Sequence, residues 1–180
     1  PKNLMQISAL PKLEEPNVGK HINYIEGQEE IGEGNDVLTG GIVYLGQMII
    51  FTSIKTYVLT DDISNGGEIR KLFDVGCVNI NGGQAYIVIN DKLYFGSSTG
   101  IYLYNGSELI RISENINEDL QKISNKRYSF MKLKHMEREN LIIVCFPLGL
   151  GCDENEVVFS FAYNYLENTW TKIELISDIN

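Results

Sequence analysis

Basic charge is scarce in this chain: 15 Lys and Arg stand against 24 Asp and Glu, a formal net charge of −9 over 180 residues. That balance argues against a phosphate-gripping surface, because nucleic-acid binders need a basic footprint. Histidine is scarcer still, with only His21 and His135, and the three cysteines (Cys77, Cys145, Cys152) show no Cys-x-x-Cys spacing. A zinc site is disfavoured on both counts, and the cysteines read as reduced, mostly buried apolar residues. No apolar run approaches the roughly 18 residues of a membrane-spanning helix. No secretory signal is visible either, and the chain starts at Pro1 without a Met, which reads as a processing boundary or the edge of a longer protein. Proline is nearly absent after the start: three of the four (Pro1, Pro11, Pro16) fall in the first 16 positions.

What remains is an ordinary globular composition, 43% apolar and 22% charged, with an apolar set dominated by strand-favouring Ile, Val, Tyr and Phe. Such a chain buries a sizeable core as one domain, or forms one lobe of something larger. Two stretches look like copies. Met48 to Ser53 with Tyr57-Val58-Leu59 is echoed by Lys92 to Ser97 with Ile101-Tyr102-Leu103, and Phe51 and Phe95, Ser53 and Ser97, Leu59 and Leu103 each lie 44 residues apart. A Gly-Gly pair precedes each copy (Gly40-Gly41, Gly82-Gly83), with a Tyr after it (Tyr44, Tyr86). A period of about 40–50 residues built from short strands is the signature of propeller blades.

The strands predicted for the first unit are Ile42 to Leu45, Met48 to Thr52, Thr56 to Thr60 and Ile69 to Phe73, with Gly46-Gln47 as a tight turn and a loop from Asp61 to Gly67. The second unit has Ala85 to Ile89, a turn at Asn90-Asp91, Lys92 to Gly96, Gly100 to Tyr104, the hairpin signal Asn105-Gly106, and Glu108 to Ile112. Ile116, Leu120 and Ile123 then share one helical face, so a short helix is expected within Ser113 to Ser124. A third unit follows: strands Tyr128 to His135, Asn140 to Pro147, Glu156 to Tyr163 and Thr169 to Leu175, with hairpin loops around Glu137 to Asn140 and Leu166 to Asn168 and a longer loop over Gly149 to Asn155. Residues 1–39 read as an irregular arm or partial blade. They hold a short strand at His21 to Ile25 and a solvated acidic loop from Glu26 to Glu33.

Few residues point to chemistry. Asp61-Asp62 and Asp153-Glu154-Glu156 carry oxygen ligands of the kind calcium takes, but neither matches an EF-hand loop, and turn chemistry places acids there anyway. Gly32-Glu33-Gly34 lacks the Lys and the following helix of a phosphate cradle. There is no His-Glu-x-x-His. His135 reads as a surface or hairpin-end residue. Tyr102, Tyr104 and Trp170 are the candidate ligand or interface aromatics, with Asn105 beside them. Trp170 with Tyr163 or Tyr165 offers a sugar-stacking platform, against the favoured reading in which Trp170 packs between sheets.

The run Phe51-Thr52-Ser53, Tyr57-Val58-Leu59, then Leu93 to Gly106 and Ile110-Arg111-Ile112-Ser113, resembles the tail propeller proteins of bacteriophages, the nozzle or tail tubular protein B of short-tailed phages. Phe161 to Asn164 with Trp170-Thr171 fits the same pattern, so the resemblance spans residues 40–175. It implies a virion protein of the phage tail, a homo-oligomeric ring with other tail proteins as partners, DNA passing through without specific binding, and no catalytic residue, cofactor or metal. The family's nozzle proteins are several times longer, and three blades do not close a ring, since propellers use four to eight. The chain is then a fragment, a compact relative, or a four-bladed unit with its first blade in residues 1–39. The expectation is therefore an all-β, propeller-like array of about three to four antiparallel blades with one short helix, residues 40–180 forming the propeller-like domain, acting as a non-enzymatic structural subunit. The alternative is a host-receptor or glycan-binding propeller module; a propeller hydrolase comes third and requires paired carboxylates in a cleft.

Overall fold

A computed structural model describes residues 4–8, 25–30, 36–60, 68–78, 84–147 and 159–174, the first two segments as backbone strands only. Strands β1 (Leu4–Ser8) and β2 (Ile25–Glu30) pair antiparallel, so much of the acidic stretch taken for a loop is a strand. His21, Gly32 to Gly34, Asp61-Asp62, Gly82-Gly83, Cys152 and Asp153 to Glu156 lie outside the described residues.

Three four-stranded antiparallel sheets make up the rest, each one a meander in chain order. The first holds β3 (Leu38–Tyr44), β4 (Gln47–Thr52), β5 (Thr56–Leu59) and β6 (Ile69–Phe73). The second holds β7 (Tyr86–Ile89), β8 (Lys92–Ser97), β9 (Gly100–Tyr104) and β10 (Leu109–Arg111). The third holds β11 (Lys132–Met136), β12 (Leu141–Cys145), β13 (Phe159–Asn164) and β14 (Thr169–Glu174). Short connections favour this layout at most strand pairs, because a hairpin places the next strand alongside, while β5–β6 and β12–β13 are joined by longer segments.

The sheets stack face to face around one apolar core. Strand β8 shows why the second sheet is the middle layer: Leu93, Tyr94 and Phe95 are all buried, on both faces. Phe95 meets Phe51 of the first sheet, ring centroids 5.2 Å apart, whereas Tyr94 meets Tyr163 of the third at 6.3 Å. Alternate side chains of one strand therefore serve two different interfaces. The leading strands run side by side: a Cβ on Gly40 of β3 would lie 2.7 Å from the Tyr86 ring of β7, and the Leu133 amide of β11 donates to the Gln84 carbonyl just before β7.

The repeat has a different period from the one the sequence suggests. Ile42 pairs with Ile49 and Ile49 with Val58 in the first sheet; Ile87 pairs with Tyr94 and Tyr94 with Leu103 in the second, each displaced by 45 residues, not 44. A slip of one residue exchanges the two faces of a strand. Phe51 and Phe95 are thus not equivalent positions; they face one another. The tight turns confirm the shift. Leu45-Gly46 (φ +48° and +77°) and Asn90-Asp91 (φ +49° and +56°) are both two-residue turns with two left-handed residues, so the first turn is Leu45-Gly46 and not Gly46-Gln47.

Two further expectations are corrected. Asn105-Gly106 is not a two-residue hairpin turn: Tyr104 pairs with Leu109, and the Asn105 side-chain oxygen accepts from the amides of Ser107 and Glu108 across a four-residue loop. Asparagine's side chain here mimics a backbone turn. The short helix expected within Ser113 to Ser124 is present as a 3₁₀ turn (Glu114–Ile116) running into one α turn, α1 (Asn117–Leu120). A second turn, α2 (Asn125–Tyr128), capped by the Ser124 hydroxyl, occupies the start of the predicted strand Tyr128 to His135, which begins at Lys132 instead. The face Ile116, Leu120 and Ile123 is buried as its spacing requires.

Candidate functional site

The three candidate aromatics do not form one platform. Tyr102 and Tyr104 project from β9 toward the first sheet: Tyr102 stacks on Phe95 at 5.7 Å, and Tyr104 meets Phe73 edge-on at 4.9 Å and Tyr44 at 5.5 Å. Their hydroxyls are spent locally, on Thr99 Oγ1 and on the Gly106 carbonyl. Trp170 lies on the other side of the middle sheet. Its ring packs on Tyr163 at 4.7 Å, and its Nε1–H donates to the Ile112 carbonyl at 2.7 Å, tying the third sheet to the second. Packing between sheets partly buries its ring and uses its polar handle. The inter-sheet reading of Trp170 is therefore the one the geometry supports.

His135 is half-buried at the β11–β12 hairpin end. Its Nε2 lies 3.1 Å from the Tyr165 hydroxyl, which donates to Asn140 Oδ1. This is a structural relay fixing the loop, with no nucleophile in it. Cys77 is fully buried with its Sγ 3.8 Å from the Ala85 carbonyl, and burial pushes the half-buried Cys145 thiol above its ordinary value. Cys145 is a free thiol. Among the described residues no helix is long and apolar enough to cross a membrane.

A cleft of about 670 Å³ opens between the Ser98-Thr99 turn and the helical segment. Sequence reading missed it, because its residues come from four separate elements. Arg111, the last residue of β10, stands opposite Tyr102 in the ladder and reaches across to Asn117 at the start of α1, donating from an amino group to Asn117 Oδ1. Its Nε is buried and has no acceptor. A glycine at position 100 makes room for it: the backbone there has φ +142°, and a Cβ would sit 2.7 Å from Arg111 Nε and 2.6 Å from Ser113 Oγ. That Ser113 hydroxyl, fully buried, accepts from the Ile101 amide. Gln121, Asn125 and Ser129 continue the polar wall, while Val78, Leu120 and Ile123 supply an apolar floor. The one signal in sequence was Arg111 itself, a charge between two isoleucines on a strand.

Outside the cleft, Asp119 of α1 pairs with Lys122 at 2.7 Å and Lys172 of β14 at 3.3 Å. The hydrogen bond from Lys122 holds the Asp119 carboxyl below its usual range. Lys172 also lies over the Phe159 ring, 3.4 Å from its centroid. The chain matches no protein-family model and no curated protein.

Proposed function

We propose that this chain is a non-catalytic structural subunit of a bacteriophage tail, a nozzle-type propeller module that packs laterally with copies of itself and with other tail proteins around a DNA conduit. The observation that carries this reading is the outer face of the first sheet. Val43 and Met48 are a cross-strand pair at the turn end of the face directed away from the core, 69% and 41% exposed, and the half-buried Leu59 and Ile69 extend the same row across β5 and β6, whereas Ile50 and Thr52 farther along that face are buried. In a stack of blades this is the face a preceding blade covers. The resemblance of the strand pattern to tail propellers supports a virion role, and the net charge of −9 suits a wall past which DNA slides without sticking. Trp170 is on the opposite side of the middle sheet from Tyr102 and Tyr104, so the glycan-binding alternative rests on Trp170 with Tyr163, ring centroids 4.7 Å apart, and not on all three candidate aromatics together.

Light scattering after size exclusion, with negative-stain imaging, tests the proposal. A ring of several copies of the 20.3 kDa chain, dissociated by Val43→Asp together with Met48→Asp, is the expected result. A wild-type monomer unaffected by the two substitutions overturns the ring.

A further inference from the structure

The cleft beside α1 holds a positive charge that the fold does not neutralise. Arg111 has a neutral amide as its hydrogen-bond partner, its Nε has no acceptor, and among the described residues no carboxylate pairs with it. A half-buried guanidinium costs desolvation energy, and a structural cation is normally given an anion to offset that cost. Here it is given Asn117.

We propose that this cleft binds a small carboxylate-bearing polyol, of which a uronic acid sugar is the simplest example, with Arg111 taking the carboxylate and the surrounding amides taking the hydroxyls. The planar guanidinium matches a carboxylate in geometry as well as charge. Asn117, Gln121 and Asn125 line the cleft, and side-chain amides both donate and accept, as sugar hydroxyls require. The cleft lining contains no Asp, Glu or Lys, although the chain as a whole is strongly acidic. One positive charge with no second cation suits a monoanion, not a phosphate chain or a metal ion. The volume of about 670 Å³ accommodates one or two sugar rings, and the buried Leu120 and Ile123 offer their C–H faces an apolar floor. The inference stands independently of any role in a tail.

Titration calorimetry or saturation-transfer NMR on the whole chain tests it, with glucuronate, galacturonate and N-acetylneuraminate as probes and glucose, acetate and inorganic phosphate as controls. At least one acidic sugar is expected to bind about ten-fold or more tightly than each control. Arg111→Gln, which keeps a polar group toward Asn117, is expected to abolish that preference while leaving the thermal midpoint near that of wild type. Should it fail to fold, Gln121→Ala and Asn125→Ala replace it, and they are expected to weaken the acidic sugar while leaving acetate unchanged. Failure of all three acidic sugars to bind overturns the proposal. So does equal binding of glucose, which removes the role of the charge, or of acetate or phosphate, which removes recognition of the polyol. Unchanged sugar affinity in the variants places the ligand elsewhere and has the same consequence.

Discussion

Phe51 and Phe95 face each other across the gap between the first two sheets, ring centroids 5.2 Å apart and tilted by 43°, with both side chains fully buried. Each sits in the second strand of its meander, and their contact is the centre of the first interface. Tyr86 stacks on the same Phe51 ring at 5.2 Å.

Truncating either ring should therefore remove the same contact. Phe51→Ala and Phe95→Ala are each expected to cost about 3–5 kcal/mol, with about 0.5–1.5 kcal/mol of coupling between them in a double-mutant cycle. Strict additivity in urea melts would mean the rings do not share an interface.

Leu45 is a poor residue for its position. It adopts φ +48° in a two-residue turn and is 59% exposed, so it bears left-handed strain without repaying it in burial. Leu45→Asn is expected to raise stability by about 0.5–1 kcal/mol. A lower melting temperature for that variant would show that the Leu45 side chain, whose Cδ1 would lie 3.2 Å from a Cβ placed on Gly106, matters more than the turn.

Gly76 has no room for a side chain. A Cβ there would lie 2.3 Å from the Thr52 carbonyl oxygen and 2.4 Å from the Ile54 nitrogen, both backbone atoms that cannot rotate away. Gly76→Ala is expected to destabilise by about 3 kcal/mol or more, seen as a collapse of the denaturation midpoint. Tolerance of alanine would mean the connector between the first two sheets is free to move.

The Trp170 indole N–H is the one hydrogen bond that sequence could not anticipate for this residue. Trp170→Phe keeps a ring against Tyr163 but leaves the Ile112 carbonyl unpaired, an expected loss of about 1–3 kcal/mol. Near-wild-type stability would leave ring packing as the whole of its role.

Alkaline pH should loosen the stack. Burial, with Tyr163 and Tyr165 nearby, pushes the Tyr94 hydroxyl up to about 12, and burial also raises Tyr44, Tyr128 and Tyr163. An unfolded tyrosine loses its proton near pH 10, as expected for a free phenol, while the folded Tyr94 keeps it to about 12. In that window the unfolded state binds fewer protons, so stability falls as pH rises and is fully present below the window. Urea midpoints measured from pH 8 to 11.5 should drop above pH 10, less steeply in Tyr94→Phe; a flat profile would contradict the burial of these hydroxyls.

Strand content, the three-unit organisation and the positions of most hairpins were legible because apolar alternation and turn residues are local signals. Asn90-Asp91 was located correctly for that reason. Leu45-Gly46 was missed by one residue, since Gly46 alone does not say which turn position it fills. The apparent 44-residue repeat arose because Phe51 and Phe95 are chemically alike, and likeness of side chain is blind to which face of a sheet it falls on. The strand predicted from Tyr128 began four residues late because the Ser124 hydroxyl caps a helical turn first.

What the sequence by itself determined was a class of protein: acidic, rich in short strands, repeated in units of four. Local backbone preference and hydrophobic period suffice for that. Only the tertiary structure decided the two things on which the proposed readings turn. It placed Tyr102 and Tyr104 on one side of the middle sheet and Trp170 on the other, and it joined Arg111 to Asn117 beside a cleft. Both depend on ladder register and on contacts between distant segments, where a shift of one residue exchanges the faces and no local pattern records the outcome.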